Sequence, residues 1–211
     1  ASLRLKWLLE VSPIGFVCTL LIGAANGPHW TLAPTYGGDV GMSVAQITNF
    51  MTMMTIGSAV LQMPVGKLSD MGDRRFVLVV MLACTIAVEV ALALFGEGIG
   101  IAGLYILAFI IGGTMSTQYY IVGAHTNDRT GPQNAVSVAA ALLLLYCVGA
   151  IIGPVTAAEL MKLMGPSGLF WHNAVIHAVM IVFVVWRIYS RPRPTETTPA
   201  TPPTVRATPS G

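Results

Sequence analysis

"FVLVVMLACTIAVEVALALF", residues 76–95, runs for twenty residues with a single charge, Glu89. A helix needs about 20 apolar residues to cross a bilayer, and this stretch has that length. The rest of the chain agrees with it. The 211 residues are 55% hydrophobic and 9% charged, against about 25% charged in a typical soluble domain. Lipid is therefore the expected solvent, and the fold class is an all-α integral membrane protein.

Working outward, apolar length and breaker positions give six spans, at 13–35, 44–66, 75–95, 99–123, 133–157 and 167–188. The second is the most polar, with Asn49, Thr52, Thr55 and Gln62 among its methionines, as suits a helix facing a cavity or other helices. Residues 1–12 read as an amphipathic lead-in, 13–190 as the six-helix bundle, and the Thr- and Pro-rich 191–211 as a tail unable to build a core. The chain begins without Met and does not read as carrying a cleaved signal peptide. It is expected to be a fragment or one piece of something larger. Cys18, Cys84 and Cys147 all fall in apolar stretches. There they behave as small core residues, without metal or disulfide spacing. No cofactor, metal or nucleic-acid partner is implied.

Immediately before residues 76–95 lies "GKLSDMGDRR", Gly66–Arg75, with five charges in ten residues. With six spans both termini share one side. Ten of the eleven basic residues lie there and only Lys162 lies opposite. Basic residues stay cytoplasmic in short loops, so the termini and this hairpin are expected to face the cytoplasm of a bacterial inner membrane. Gly66 is expected to allow close backbone approach. Asp70 can accept from a helix N-terminus, and Arg74 and Arg75 can pair with Asp70, Asp73 or lipid phosphates. The plain alternative is an anchor that only sets orientation.

The hairpin resembles the loop signature of the major facilitator superfamily, G-x-L-[AS]-D-x-x-G-R-[RK], at Gly66, Leu68, Ser69, Asp70, Arg74 and Arg75. Asp73 stands where the family usually has Gly. "SPIGFVCTLLIGAANGPHW", "AHTNDR" and Tyr146, Gly149, Gly153 and Pro154 in "LLLLYCVGAIIGP" are similar to the same family, and the combination resembles its small bacterial YcaD-like members. The resemblance covers about residues 1–190 and the C-terminal half of a twelve-helix pattern. It implies a half-bundle of two inverted three-helix repeats, with the gating motif Gly66, Asp70, Arg74 and Arg75 latching against the other half. Spans one and four would line a midplane substrate site, two and five would flank it, and three and six would be peripheral.

On helical spacing Tyr146, Gly149, Ala150 and Gly153 share one face. Small residues there permit tight contact, so a packing seam is the simpler reading. Asn26, His29 and Trp30 share a face of span one; Asn26 is expected to line the cavity, while Trp30 also suits the membrane interface. Gln118, Tyr119 and Tyr120 are consecutive on span four, and at least one must face away. The candidate substrate-binding set is Asn26, His29, Asn49, Gln118, Tyr119 and Tyr146. Glu89 matches the depth of Asn173 and His177, one turn apart on span six. Glu89 with His177 could relay a proton or form a static hydrogen-bonded pair. His125, Asn127, Asp128 and Arg129 read as the turn before span five; the family resemblance implies a second gate element there, and capping by Asn127, Asp128 or Thr130 before Pro132 is the favoured main role.

The expected function is transport of a small molecule by alternating access through the C-terminal half of a transporter, with protons as the driving ion on family analogy. The cavity lacks a buried Lys or Arg, which suits neutral, zwitterionic or amphipathic substrates. The partners are the substrate, the bilayer, and a missing N-terminal half or another membrane protein. The alternative is a six-helix subunit or scaffold that transports nothing alone. An intramembrane enzyme finds no support, since no paired-aspartate, Ser–His or H-E-x-x-H arrangement is present.

Overall fold

Ser12 and Pro13 start the bundle. Pro at the first helical position loses no needed hydrogen bond, and Oγ of Ser12 accepts from the backbone N–H of Gly15 at 3.3 Å. The chain bends there by 114° between a short lead-in, α1 (Leu5–Val11), and α2 (Pro13–Asp39). The computed structural model describes residues 4–190, so the expected tail at 191–211 lies outside the described residues. Beyond α2 come α3 (Val44–Met71), α4 (Arg74–Phe95), α5 (Gly100–Thr130), a single 3₁₀ turn at Pro132–Asn134, α6 (Ala135–Met164) and α7 (Gly168–Ser190). No strand occurs among the described residues.

Five of these helices, α3 to α7, are each long and apolar enough to cross a membrane, and α1 with α2 makes a sixth as one bent span. The six expected spans coincide with α2 to α7, but most helices run several residues further. α3 continues to Met71, so the charged hairpin shrinks to Gly72 and Asp73. Its start is fixed by a capping box: Gln46 N–H donates to Ser43 Oγ, and Ser43 N–H to Gln46 Oε1, which satisfies two orphan donors at once. α5 and α6 stop at Gly131 (φ 76°) and Gly165 (φ 78°), where the left-handed turn out of the helix favours glycine.

The principal packing pairs are α2 with α6, α3 with α5, α4 with α7, α4 with α5, and α2 with α7. Exchanging the first three membrane helices for the last three (α2 for α5, α3 for α6, α4 for α7) maps this set onto itself. That is the pairing expected of two inverted three-helix repeats.

Two parallel seams hold the halves of this symmetry. In the first, Gly23 lies on the backbone of Tyr146 and Gly27 on that of Ala150, while Gly149 and Gly153 face the carbonyls of Leu20 and Ala24. In the second, Gly57 lies on the backbone of Phe109 and Gly112 on that of Met54. Without side chains the backbones touch, and dispersion replaces the absent hydrophobic drive in lipid. Gly66 is not part of this scheme. A side chain there would meet open space, contrary to the expected close approach.

Among the described residues the two larger of three apolar clusters fill most of the interior. One surrounds Tyr36, Phe50, Met54, Leu92 and Phe170, and the other Ile22, Leu82, Val122 and Met180. Between them, on α4, α5 and α7, lies a buried polar layer of Thr85, Glu89, Gln118, Asn173 and His177. The helices expected to be peripheral, α4 and α7, thus carry much of the buried polarity. Among the cysteines Cys18 is buried and Cys84 and Cys147 are exposed; all three are free thiols.

Candidate functional site

Four helices, α2, α3, α5 and α6, wall an open cavity of about 260 Å³. These are the spans that the family resemblance assigns to a substrate site. Asn26 and Trp30 come from α2, Ser58 from α3, Ser116, Tyr119 and Tyr120 from α5, and Leu143 and Tyr146 from α6. The rings of Tyr119 and Tyr146 meet edge-to-face at 5.4 Å, and those of Tyr119 and Tyr120 at 6.2 Å. Edge-to-face aromatic pairs add about 0.5–1.5 kcal/mol beyond burial, which favours this arrangement of the three rings. The buried Oδ1 of Asn26 has no protein partner and offers an acceptor.

Of the expected substrate-binding set, the structure brings Asn26, Tyr119 and Tyr146 together. It places the other three elsewhere. His29 turns into the core, 1% exposed, with its ring 6.3 Å from that of Phe170. Asn49 lies exposed on α3, away from the cavity. Gln118 is fully buried and its Nε2 donates to Oγ1 of Thr85 at 2.9 Å. The reason is rotational. Consecutive helix positions diverge by about 100°, so with Tyr119 and Tyr120 on the cavity, Gln118 points into the bundle. Ser58, Ser116 and Leu143 were missed. The small hydroxyls next to Gly57 and Met115 carry no motif, and only the three-dimensional packing gathers them.

The second constellation is the polar layer. His177 Nδ1 lies 3.0 Å from Glu89 Oε2 and equally close to Oε1, and neither residue is exposed. A single ring N–H serves one oxygen, and Oε1 is left without a hydrogen-bond partner. Asn173 does not reach Glu89; its Oδ1 faces His172 instead.

The third is at the hairpin. Arg74 Nη1 donates to Asp70 Oδ1 at 2.7 Å and to Ser69 Oγ at 3.2 Å, while its Nε donates to Asp128 Oδ2 at 2.6 Å. Arg74 therefore ties the ends of α3, α4 and α5 together. Both acids are exposed, so each pair contributes only about 0.2–1 kcal/mol. Two expectations are corrected here. The cap of α4 is Asp73, whose side chain accepts from the backbone N–H of Arg75 at 2.9 Å, and not Asp70. Asp73 also holds the Arg75 guanidinium at 2.9 Å, so the departure from the family's usual Gly supplies both a cap and an ion pair. Residues 125–129 belong to the last turns of α5 and do not cap α6, because α5 runs on to Thr130. Alongside Gly66, Ser69, Asp70 and Arg74 lies a smaller recess of about 130 Å³, which shares Tyr120 with the main cavity.

The family model described as Major Facilitator Superfamily matches residues 15–209. The chain belongs to the major facilitator superfamily. Among its relatives is an uncharacterized MFS-type transporter, Ent638_1421, from Enterobacter sp. (strain 638), 28% identical over 88% of this chain and 47% of the relative. The uncharacterized MFS-type transporter YcaD of Salmonella typhi is 26% identical over 92% of this chain and 49% of its own length. An uncharacterized MFS-type transporter of Yersinia enterocolitica, YE1530, is 27% identical over 82% and 43%. No solved structure matches. The chain thus spans about half the length of the relatives it matches. As a major facilitator superfamily chain with five to six membrane-length helices, it is a multi-pass membrane protein of a transport family.

Proposed function

We propose that this chain is the C-terminal half of a secondary transporter that moves a small molecule by alternating access. The observation that carries the reading is the cavity itself, walled by α2, α3, α5 and α6. It is open on one side, as half of a chamber between two bundles would be, and the length of the relatives supports a second bundle facing it. The lining combines aromatic faces with hydroxyl and amide groups and holds no charged residue. Neutral, zwitterionic or amphipathic solutes of small size suit such a surface. In this reading the Arg74 knot and the recess beside Gly66 and Asp70 form the cytoplasmic gate, both termini lie in the cytoplasm, and the membrane is the bacterial inner membrane.

Protons are the proposed coupling ion. An intramembrane carboxyl is a functional group by default, and Glu89 shares a hydrogen bond with His177, a side chain able to take up or release that proton. Alternating exposure of the pair would link protonation to the state of the bundle. The test is reconstitution in proteoliposomes of the chain with a matching amino-terminal half, with a trapped pH dye and a panel of neutral and zwitterionic solutes. Solute-driven proton movement is expected, and Glu89→Gln should lower it roughly a hundredfold. Undiminished proton movement in Glu89→Gln would remove the coupling assignment. Flux that needs no residue of the cavity would favour the scaffold reading of this chain.

A further inference from the structure

From the buried layer a line of polar side chains reaches the surface of the bundle. His172 Nδ1 lies 3.0 Å from Asn173 Oδ1, and His172 Nε2 lies 2.8 Å from Oγ1 of the exposed Thr156 on α6. Asn Oδ1 can only accept, so Nδ1 carries the hydrogen. That leaves Nε2 of the neutral ring as an acceptor for the Thr156 hydroxyl. The same hydroxyl has an alternative acceptor, the Gly153 carbonyl at 2.9 Å. Turning from Nε2 to that carbonyl, it can receive a bond from a protonated ring. Both protonation states of His172 are thus satisfied by one hydroxyl rotation.

Inward of His172 the protein partners stop. Nδ2 of Asn173, Nε2 of His177 and both ring nitrogens of His29 are buried and without hydrogen-bond partners. Asn173 and His177 are one turn apart on α7, about 6 Å along the axis. His29, on α2, stands against the same stretch of α7 through its contact with Phe170. The set mixes donors with acceptors. Buried polar groups of this kind are met by bound water, which typically makes about three hydrogen bonds.

We infer that bound water joins Asn173, His177 and His29, and that the Glu89–His177 pair exchanges its proton through this water and His172 with the membrane face opposite the charged hairpin. The direction follows from chain order. Gly66–Arg75 lies at the end where α3 stops and α4 starts, whereas Thr156, about two turns before the end of α6, and His172, in the second turn of α7, lie in the half of the bundle nearer the α6–α7 turn at the other end. His172 takes one proton at Nε2 from outside and, on turning away from Thr156, releases it to the water. That water gives a proton to His177 Nε2, and His177 passes its Nδ1 proton to the Glu89 carboxylate. One proton enters, one carboxylate becomes a carboxylic acid, and His172 returns to neutral. The titratable groups facing this path are Glu89 from α4, His29 from α2, and His172 and His177 from α7.

The inference rests on the proposed coupling role of Glu89, and the test separates the two. The chain has four histidines, so ¹⁵N-histidine labelling of the full chain in lipid nanodiscs gives a sparse spectrum in which the His177 ring proton can be followed. His172→Phe is expected to slow exchange of that proton with water at least about tenfold, because exchange must then wait for the bundle to open. The near-isosteric Thr156→Val should slow it about threefold while helical content stays unchanged. Exchange as fast in both variants as in the unaltered chain overturns the route. If Glu89→Gln still abolishes proton coupling in that event, only the route falls and the coupling role stands.

Discussion

Gly149→Val is expected to be among the most damaging single substitutions in this chain. A Cβ at Gly149 would meet the carbonyl oxygen of Leu20 and lie 2.7 Å from the backbone nitrogen of Ala24. Neither group is the flexible end of a side chain, so α2 and α6 must move apart. Overpacking a core costs about 1–3 kcal/mol where side chains can adjust; with backbone against backbone the upper end applies. In a chain of this size that lowers the midpoint of thermal unfolding by about 10 °C. The measurement is a melting curve of detergent-purified protein. Gly66→Ala serves as the control: its side chain enters open space, and replacing a helical Gly by Ala stabilises by about 0.5–1 kcal/mol. Equal melting points for the two variants would contradict the seam.

The second large effect is expected at His177. His177→Leu removes the partner of Glu89 while the carboxyl stays fully buried. Breaking a buried pair from one side costs about 3–5 kcal/mol, because the remaining group keeps its desolvation cost. The double variant Glu89→Leu, His177→Leu should recover most of that loss, since two apolar residues in contact are near neutral relative to the intact pair. Glu89→Gln keeps an acceptor for the His177 ring and should cost less than either single removal. A double variant no more stable than His177→Leu would mean that the pair is not what the surrounding packing depends on.

How much of this was legible in the sequence varies by level. The six membrane helices were readable, because apolar length is a local property and lipid leaves few alternatives. The Glu89–His177 meeting was readable as well: matched depth on two spans and one dominant buried charge left few partners. The cavity was half readable. Tyr119 and Tyr146 carry large side chains that must go somewhere polar, whereas Gln118 beside them has equal chemistry and opposite direction. Nothing short of the helix rotation distinguishes the two. The hairpin misled in its details. Asp70 and Asp73 are both possible caps by composition, and only the true end of α3 at Met71 puts Asp73 at the start of α4. The α3–α5 seam escaped notice because Gly57 and Gly112 contribute no charge, no aromatic ring and no breaker signature.

On the proposed reading the cavity between α2, α3, α5 and α6 is a water-reached chamber and not a lipid-facing groove. It is tested most directly by thiol labelling in a background with Cys84 and Cys147 replaced by Ser, leaving only the buried Cys18, with a matching amino-terminal half co-expressed. Ser116→Cys lies on the cavity, and Val179→Cys, at a residue 52% exposed on α7, lies outside it. A membrane-impermeant thiol reagent should modify Ser116→Cys at least about tenfold faster, since the water-borne thiolate is the reactive form. Equal inertness at the two positions would contradict the chamber and the transport reading built on it.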